Sequence, residues 1–574
     1  MESRAMHQHP AVPGFELDTQ VVGAFPLVNQ ILKRLRFDDI LRKHLPPPDP
    51  RALLPTQSAL GFLLRNLVLA RGPLYKLGEW AQEGVAALMG LEPEQVRLLN
   101  DDRVGRALDR LFDADRQALL TDLVVFMVRE FDVGLEEFHN DSTSITLQGK
   151  YKHATGKRVR GKPTLRAALG HNKDHRPDLK QILWILTLSA DGSVPVHFKV
   201  ADGNTEDSTT HVETWSALRQ LVGSSDFLYV ADSKLCTRGN LKHIHGQGGR
   251  FITVLPRTWK EDTLFKDWIQ NNTPQWDEVA RKPHPRLKDG PPDIFCAVPS
   301  PNPDADGFRV IWYKSSHKME RDAEARGTAL QTATRALTEI RAKLEGPRPR
   351  WRTQASVAQA VEKILAKGGA DRWLDYEMVA FDKPTYHQEK RGRPGTKTRW
   401  RRRLKTRFQL TWMLRQDRLD YDARCDGLFP LITNTTLSPQ EILDIYKSKQ
   451  PLVERQHHLL KAVQSGVPVF LHSSSRIEAL FFLHFVALLV NALLERQVRR
   501  AMADRGIKSL PLYPEERECR APSAERILET FGSLQRHLLC KDGAVVQRFD
   551  PELTPLHRKI LGLAGLSGTA FANC

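Results

Sequence analysis

Two carboxylates in this sequence end short, β-leaning runs. Asp232 follows Phe227-Leu228-Tyr229-Val230-Ala231, and Asp141 lies in a stretch, Phe138 to Leu147, that alternates like a strand. A buried strand that delivers a carboxylate to its end places a charge where water is scarce, which is costly unless a cation or a partner holds it. A third acid, Glu454, lies in a helical segment much later. Asp141 and Asp232 are 91 positions apart, and Glu454 is 222 beyond Asp232. Phosphodiester chemistry uses two or three carboxylates to hold two divalent cations about 3.5–4 Å apart, one for the attacking oxygen and one for the leaving oxygen. Carboxylate oxygens suit Mg²⁺, which keeps waters and borrows ligands from substrate phosphates; two Mg²⁺ ions are expected, with Mn²⁺ as a substitute.

Composition supports a polyanionic partner for such a site. Lys+Arg 85 against Asp+Glu 68 gives a net charge of +17 and a pI near 9.6. That balance favours nucleic acid over a membrane surface. Other chemistries find less support. The cysteines (Cys236, Cys296, Cys425, Cys519, Cys540, Cys574) are scattered and form no CxxC pair, so neither a zinc site nor a disulfide framework is indicated. Ser142 and Ser233 follow the acids without an evident histidine base. His457 and His458 are adjacent in a helix and cannot share one face as a zinc pair. Met1 to Pro13 has no apolar core of a signal peptide. The most apolar run, Ala479 to Leu494, contains His484 and Asn491 and falls short of the ~20 residues that a bilayer requires, so a buried core helix is expected and no membrane partner.

The elements that must position the acids are legible in order. Residues 1–20 read as a loose tail and 21–130 as a helical N-terminal domain, with Leu60, Leu63, Leu64 and Leu67 on one helix face. From 131 to 255 the pattern turns α/β. Strands are expected at Phe138 to Leu147, Gln181 to Leu188 and Val194 to Val200, then a helix at His211 to Val222. Further strands follow at Phe227 to Ala231 and Phe251 to Leu255. Three strands, a helix and a strand is the order of an RNase H-like core, in which the first and fourth strands are neighbours. Residues 256–415 interrupt it as an inserted domain, residues 416–504 resume it, and 505–574 read as a mostly helical C-terminal end. Within the resumed part, Ser438-Pro439-Gln440-Glu441 is a helix start with Ser438 as N-cap and Glu441 at N3. The tract Lys390 to Arg407 holds ten Lys/Arg among eighteen residues, including Arg401, Arg402 and Arg403, and is expected to bind phosphates by counterion release. Arg391-Gly392-Arg393-Pro394 matches the core of a minor-groove hook. Trp312, Trp373 and Trp400 are candidates for stacking on an unpaired base, the first two also fitting a core.

The segment Tyr446-Lys447-Ser448-Lys449-Gln450-Pro451-Leu452-Val453-Glu454-Arg455-Gln456-His457-His458-Leu459-Leu460-Lys461 resembles the Tyr–Arg–Glu–Lys signature of bacterial insertion-sequence transposases of the IS-four group, DDE transposases with an RNase H-like core. Gly170 to Gln181, Gly203-Asn204-Thr205-Glu206-Asp207 and Leu99-Asn100-Asp101-Asp102-Arg103 are similar to blocks of one branch of that group. The resemblance implies Asp141, Asp232 and Glu454 as the catalytic, metal-binding acids. It implies Tyr446 and Lys461 as the signature Tyr and Lys, and a β-rich insertion between second and third acids. Six residues separate Glu454 from Lys461, as the signature requires. Its Arg position is most nearly filled by Lys449, with four residues rather than three before Glu454. Glu441 and Asp444 are the alternative third acids.

The function implied is DNA transposition. Water activated at the metals cuts at the terminal inverted repeats, and the freed 3′-hydroxyl attacks target DNA in line. A homodimer in the synaptic complex and a bacterial, nucleoid-associated cytoplasmic setting are also implied. Two other readings remain. One is a metal-dependent nuclease of the same fold that cuts without joining; the other is a DNA-binding descendant without catalysis, against which the intact acids argue.

Overall fold

A computed structural model describes residues 14–170, 173, 176–284, 290–347, 350–351, 353–465, 471 and 473–571 of the chain. They divide into two units. One combines the chain up to Thr253 with the chain from Leu443 onward, and the other is Val254–Ile442.

The first unit is organised around the helix Ser474–Asp504. Its run from Ala479 to Leu494 is apolar on every side and buried throughout, the pattern of a helix enclosed by neighbours. It packs against the N-terminal helices Thr56–Leu69 and Asp101–Asp113. A chain of rings links it to the sheet: Trp184–Phe198 at 5.0 Å, Trp184–Phe481 at 5.5 Å and Phe198–Phe485 at 4.7 Å. At 31 residues the helix is long and apolar enough to cross a membrane, so the expected shortfall in length does not hold; 94% of its most apolar window is nevertheless buried within the protein. The N-terminal helices start where short polar side chains cap them. Asn100 accepts from the Arg103 N–H at 2.9 Å, and Asp115 from the Ala118 N–H at 3.0 Å.

The sheet of this unit has the spatial order Pro195–Ala201, Lys180–Ser189, Glu137–Leu147, Leu228–Ala231, Arg250–Val254. The first three are mutually antiparallel, and the last two run parallel to Glu137–Leu147. The helix His211–Val222 provides the crossover that a parallel neighbour requires.

Two sequence expectations fail here. Residues 14–20 are not a loose tail: Phe15–Val21 is a strand paired antiparallel with Gln535–Lys541. The C-terminal end is not mostly helical either. Beside the helices Ala524–Thr530 and Pro555–Leu563 it contains the strands Leu510–Tyr513, Arg517–Cys519, Gln535–Lys541 and Ala544–Phe549. The last two form a hairpin about Asp542 and Gly543, both at positive φ, +52° and +80°. Asp-Gly at a two-residue turn is a strong local hairpin signal, and it was there to be read at Lys541-Asp542-Gly543-Ala544.

The second unit carries an antiparallel set of strands in the order Leu428–Thr433, Arg309–Ser315, Asp293–Pro299, Asp277–Lys282. It runs on past the expected boundary at Arg415 to Ile442, because Leu428–Thr433 pairs with Arg309–Ser315. Trp312 is buried in this unit, stacked on Phe265 at 4.1 Å. The helices Ser316–Glu345 and Gln354–Lys367 enclose a core of Leu337, Ile340, Val357 and Val361. A long two-stranded ribbon, Leu374–Gln388 with Trp400–Leu414, closes that core through Leu374, Phe408 and Leu410.

Candidate functional site

Asp141 and Asp232 meet because of strand register. Asn140 is the registered partner of Ala231 in the parallel pair, so Asp141 and Asp232 are the next positions on two adjacent strands. Neighbouring strands lie about 4.8 Å apart, and side chains at matched positions point to the same face. Each carboxylate is fixed by backbone: Asp141 Oδ1 accepts from the Ser142 N–H at 2.8 Å, and Asp232 Oδ1 from the Lys234 N–H at 2.9 Å. The Thr253 hydroxyl donates to the Asp232 carbonyl at 2.6 Å and so ties the strand end to its neighbour.

Glu454 arrives on the helix Pro439–Ser465, which starts as expected: the Glu441 N–H donates to Ser438 Oγ at 3.3 Å, and the Ser438 N–H to Glu441 Oε2 at 2.8 Å. The Glu441 carboxylate, an alternative third acid, closes the capping box. Pro451 sits inside the helix without ending it. Tyr446, Glu454 and Lys461 therefore lie on one continuous helix, at spacings of about two turns.

The helix is pinned to the Glu137–Leu147 strand one turn before Glu454. The Gln450 amide donates to the Asn140 carbonyl at 3.0 Å, and its oxygen meets His139 Nδ1 at 3.1 Å. His139 Nε2 lies 2.7 Å from Glu137, whose other oxygen accepts from Lys449 at 2.9 Å. Lys449, expected to contact DNA, is thus held by Glu137.

The acids share one electrostatic environment. Burial first, and then the charges of Asp232 and Glu454, push the Asp141 carboxyl up to about 6 against the pull of Lys173. Burial also raises Asp232, and Asp207 adds to the effect. Burial, with the charges of Asp232, Asp141 and Glu454, holds the Tyr446 phenol well above its ordinary range. Asp141, raised by burial and by its acidic neighbours, marks a site short of positive charge. Lys173 supplies part of it, with its ammonium 3.6 Å from Asp141 Oδ1. His457 faces the other oxygen, Nε2 to Oδ2 at 3.6 Å, and burial lowers its imidazole to about 3. Among the described residues no group of three or more His, Cys, Asp or Glu side chains is placed so that it could hold a metal ion as it stands.

Sequence reasoning missed three members of this site. Asp207 accepts from the Ser142 hydroxyl at 2.6 Å, which brings a fourth carboxylate alongside. Lys173 lies in the block Gly170 to Gln181, whose His171, Asn172, Asp174 and His175 fall outside the described residues. Both blocks carried the signal, as polar segments next to strands. His457, beside His458 in the sequence, offers no local sign that it faces Asp141.

The basic tract lies on the ribbon of the second unit. Arg401, Arg402 and Arg403 are exposed on its returning strand, opposite His387, Tyr386 and Thr385, and Arg391 and Arg393 are exposed in the loop between the strands. Because side chains alternate, Arg401 and Arg403 share one face with Lys383 and Lys405. Arg402 shares the other with Trp400 and Tyr386, both exposed. Trp373 is half-buried and donates its indole N–H to Asp422 at 2.6 Å.

Comparisons with known proteins add little. A family model described as a domain of unknown function (DUF4277) matches residues 17–125. No curated protein matches the chain. Among solved structures the chain is similar to a piggyBac transposase synaptic complex with hairpin DNA, at 8% identity and a TM-score of 0.35, covering 88% of this chain and 78% of that one.

Proposed function

We propose that the chain is a metal-dependent DNA transposase, with the sheet bearing Asp141 and Asp232 and the helix bearing Glu454 as its RNase H-like core. The observation that carries this reading is the register that sets Asp141 beside Asp232, with Glu454 near enough to raise the Asp141 carboxyl. Two partly buried carboxylates side by side, with the charge of a third felt at Asp141, suit a divalent cation. A hard cation of this kind keeps its waters and takes phosphate oxygens from the substrate. When bound, a pair of Mg²⁺ ions, or Mn²⁺ in their place, supplies activation of the nucleophile and stabilisation of the leaving oxygen.

The chain's own residues do the rest. Asp141, Asp232 and Glu454 hold the ions. Tyr446 stays a neutral phenol and offers an O–H donor to a phosphate. Lys461 presents an ammonium to the same strand, seven residues from Glu454. Lys449 fixes the helix through Glu137. The ribbon, with Arg391, Arg393, Arg401, Arg402 and Arg403, tracks the DNA backbone and releases counterions. Double-stranded DNA bearing terminal inverted repeats is the substrate, bound by a dimer and joined to target DNA in the bacterial cytoplasm at the nucleoid.

Glu454→Gln tests this reading, because it keeps size and removes charge. It is expected to abolish Mg²⁺-dependent cleavage while sparing DNA binding. Cleavage at near wild-type rate by this variant, with loss in Asp444→Asn, rejects Glu454 as the third acid. Wild-type protein that nicks end-bearing DNA but never joins it to a target is a nuclease instead.

A further inference from the structure

His457 faces the acid cluster, with Asp141 beside its ring. Its side chain is only 7% exposed, and neither ring nitrogen has a hydrogen-bond partner among the described residues. Three other buried histidines of the same unit use their nitrogens: His139 meets Gln450 and Glu137, His211 meets the Tyr229 hydroxyl, and His557 meets the Thr530 carbonyl, whereas His197 shares an idle Nδ1. A buried imidazole with an idle N–H and an idle lone pair destabilises the fold unless something else engages it.

Position says what that is. Nε2 lies 3.6 Å from Asp141 Oδ2, while Asp141 Oδ1 is taken by the Ser142 N–H and faces Lys173. Neighbouring ligands of an octahedral ion with ~2.1 Å bonds are about 3 Å apart, so a small side-chain rotation suffices. Glu454 stands three residues earlier on the same helix. Glu-x-x-His at that spacing puts carboxylate and imidazole on one face, as in the two-metal carboxylate helices.

We infer that His457 is a nitrogen ligand of the cation site at Asp141, and that this site therefore takes Mn²⁺ in preference to Mg²⁺. Imidazole suits transition ions, whereas Mg²⁺ demands oxygen and parts reluctantly with water. The inference rests on the carboxylate-site reading above and goes beyond it by assigning a fourth ligand and an ion preference.

The experiment uses the full-length protein and Mn²⁺ alone, without DNA. Bound Mn²⁺ is counted by the loss of the free-ion paramagnetic resonance signal, and nitrogen ligation is read from ¹⁴N modulation of the electron spin echo. Wild-type protein is expected to bind Mn²⁺ with imidazole modulation. His457→Leu is expected to lose the modulation and bind Mn²⁺ about tenfold more weakly, while affinity for Mg²⁺, measured by competition, changes by less than about twofold. Mn²⁺ bound to wild-type protein without nitrogen modulation overturns the inference and leaves the carboxylate site standing. Modulation that survives in His457→Leu belongs to another histidine and overturns it too. Wild-type protein that binds no Mn²⁺ at millimolar concentration removes the carboxylate-site reading itself. The wild-type spectrum needs no variant to fold.

Discussion

Replacing Asp141 by asparagine should make the cation-free protein more stable, although it removes one of the proposed metal ligands. In the folded chain the Asp141 carboxyl is raised from 3.8 to about 6, by burial first and then by Asp232 and Glu454. In the unfolded chain it titrates at its ordinary value. Each pKa unit corresponds to about 1.4 kcal/mol, so keeping Asp141 ionised costs the fold about 3 kcal/mol. The sign follows from proton counting. Below pH 4 both states hold the proton and there is no penalty. Between about pH 4 and 6 the unfolded chain loses its proton first, so stability falls as pH rises. Above about pH 6 the full penalty is present. The substituted amide would carry no charge, and its side-chain oxygen can still accept from the Ser142 N–H. Urea denaturation in EDTA should therefore show Asp141→Asn more stable by up to about 3 kcal/mol at pH 7.5, with the gain vanishing near pH 4. Saturating Mn²⁺ should narrow or reverse the difference, because only wild-type protein gains the binding energy. A variant no more stable than wild type at pH 7.5, or a gain that is the same at pH 4, refutes the reasoning.

Two further outcomes are expected. Arg401→Ala, Arg402→Ala and Arg403→Ala together should weaken DNA binding and flatten its salt dependence by about one unit of slope per lost phosphate contact, with thermal stability unchanged because the three are exposed; an unchanged slope rejects the phosphate role. Gly203→Ala should destabilise the first unit by about 3 kcal/mol or more, since a Cβ there would lie 1.9 Å from the Gln181 carbonyl oxygen and 2.8 Å from that of Ala168; a melting temperature equal to wild type would contradict the close approach of these segments.

Local pattern made the site's strands readable, and distance along the chain hid the rest. Glu137–Leu147 and Leu228–Ala231 announced themselves by β-leaning apolar runs, and the capping box at Ser438 marked the start of the acid helix. The strand Phe15–Val21 does alternate, Phe15, Leu17, Thr19 and Val21 against Glu16, Asp18 and Gln20, but its partner lies more than five hundred positions away at Gln535–Lys541, so its pairing is a tertiary event. Pro451, inside the acid helix, is tolerated for a tertiary reason as well. Proline inside a helix removes one hydrogen bond, yet Gln450 beside it bonds the Asn140 carbonyl and the Glu137–Lys449 pair braces the preceding turn. Tertiary contacts hold the helix where local propensity would interrupt it.

That bracing bears on how variants of the site can be interpreted. Gln450, His139, Glu137 and Lys449 fasten the helix to the strand through a cluster that includes none of the three acids. Glu454 is exposed on the turn that follows, and among the described residues no hydrogen bond is assigned to its carboxylate. Removing its charge therefore leaves the fastening intact and relieves repulsion at Asp141 instead of creating it. A loss of cleavage in Glu454→Gln would thus report lost chemistry and not lost structure. Glu137→Gln supplies the contrast: it weakens the Lys449 pair, and it should impair cleavage by displacing the helix while leaving all three acids in the chain.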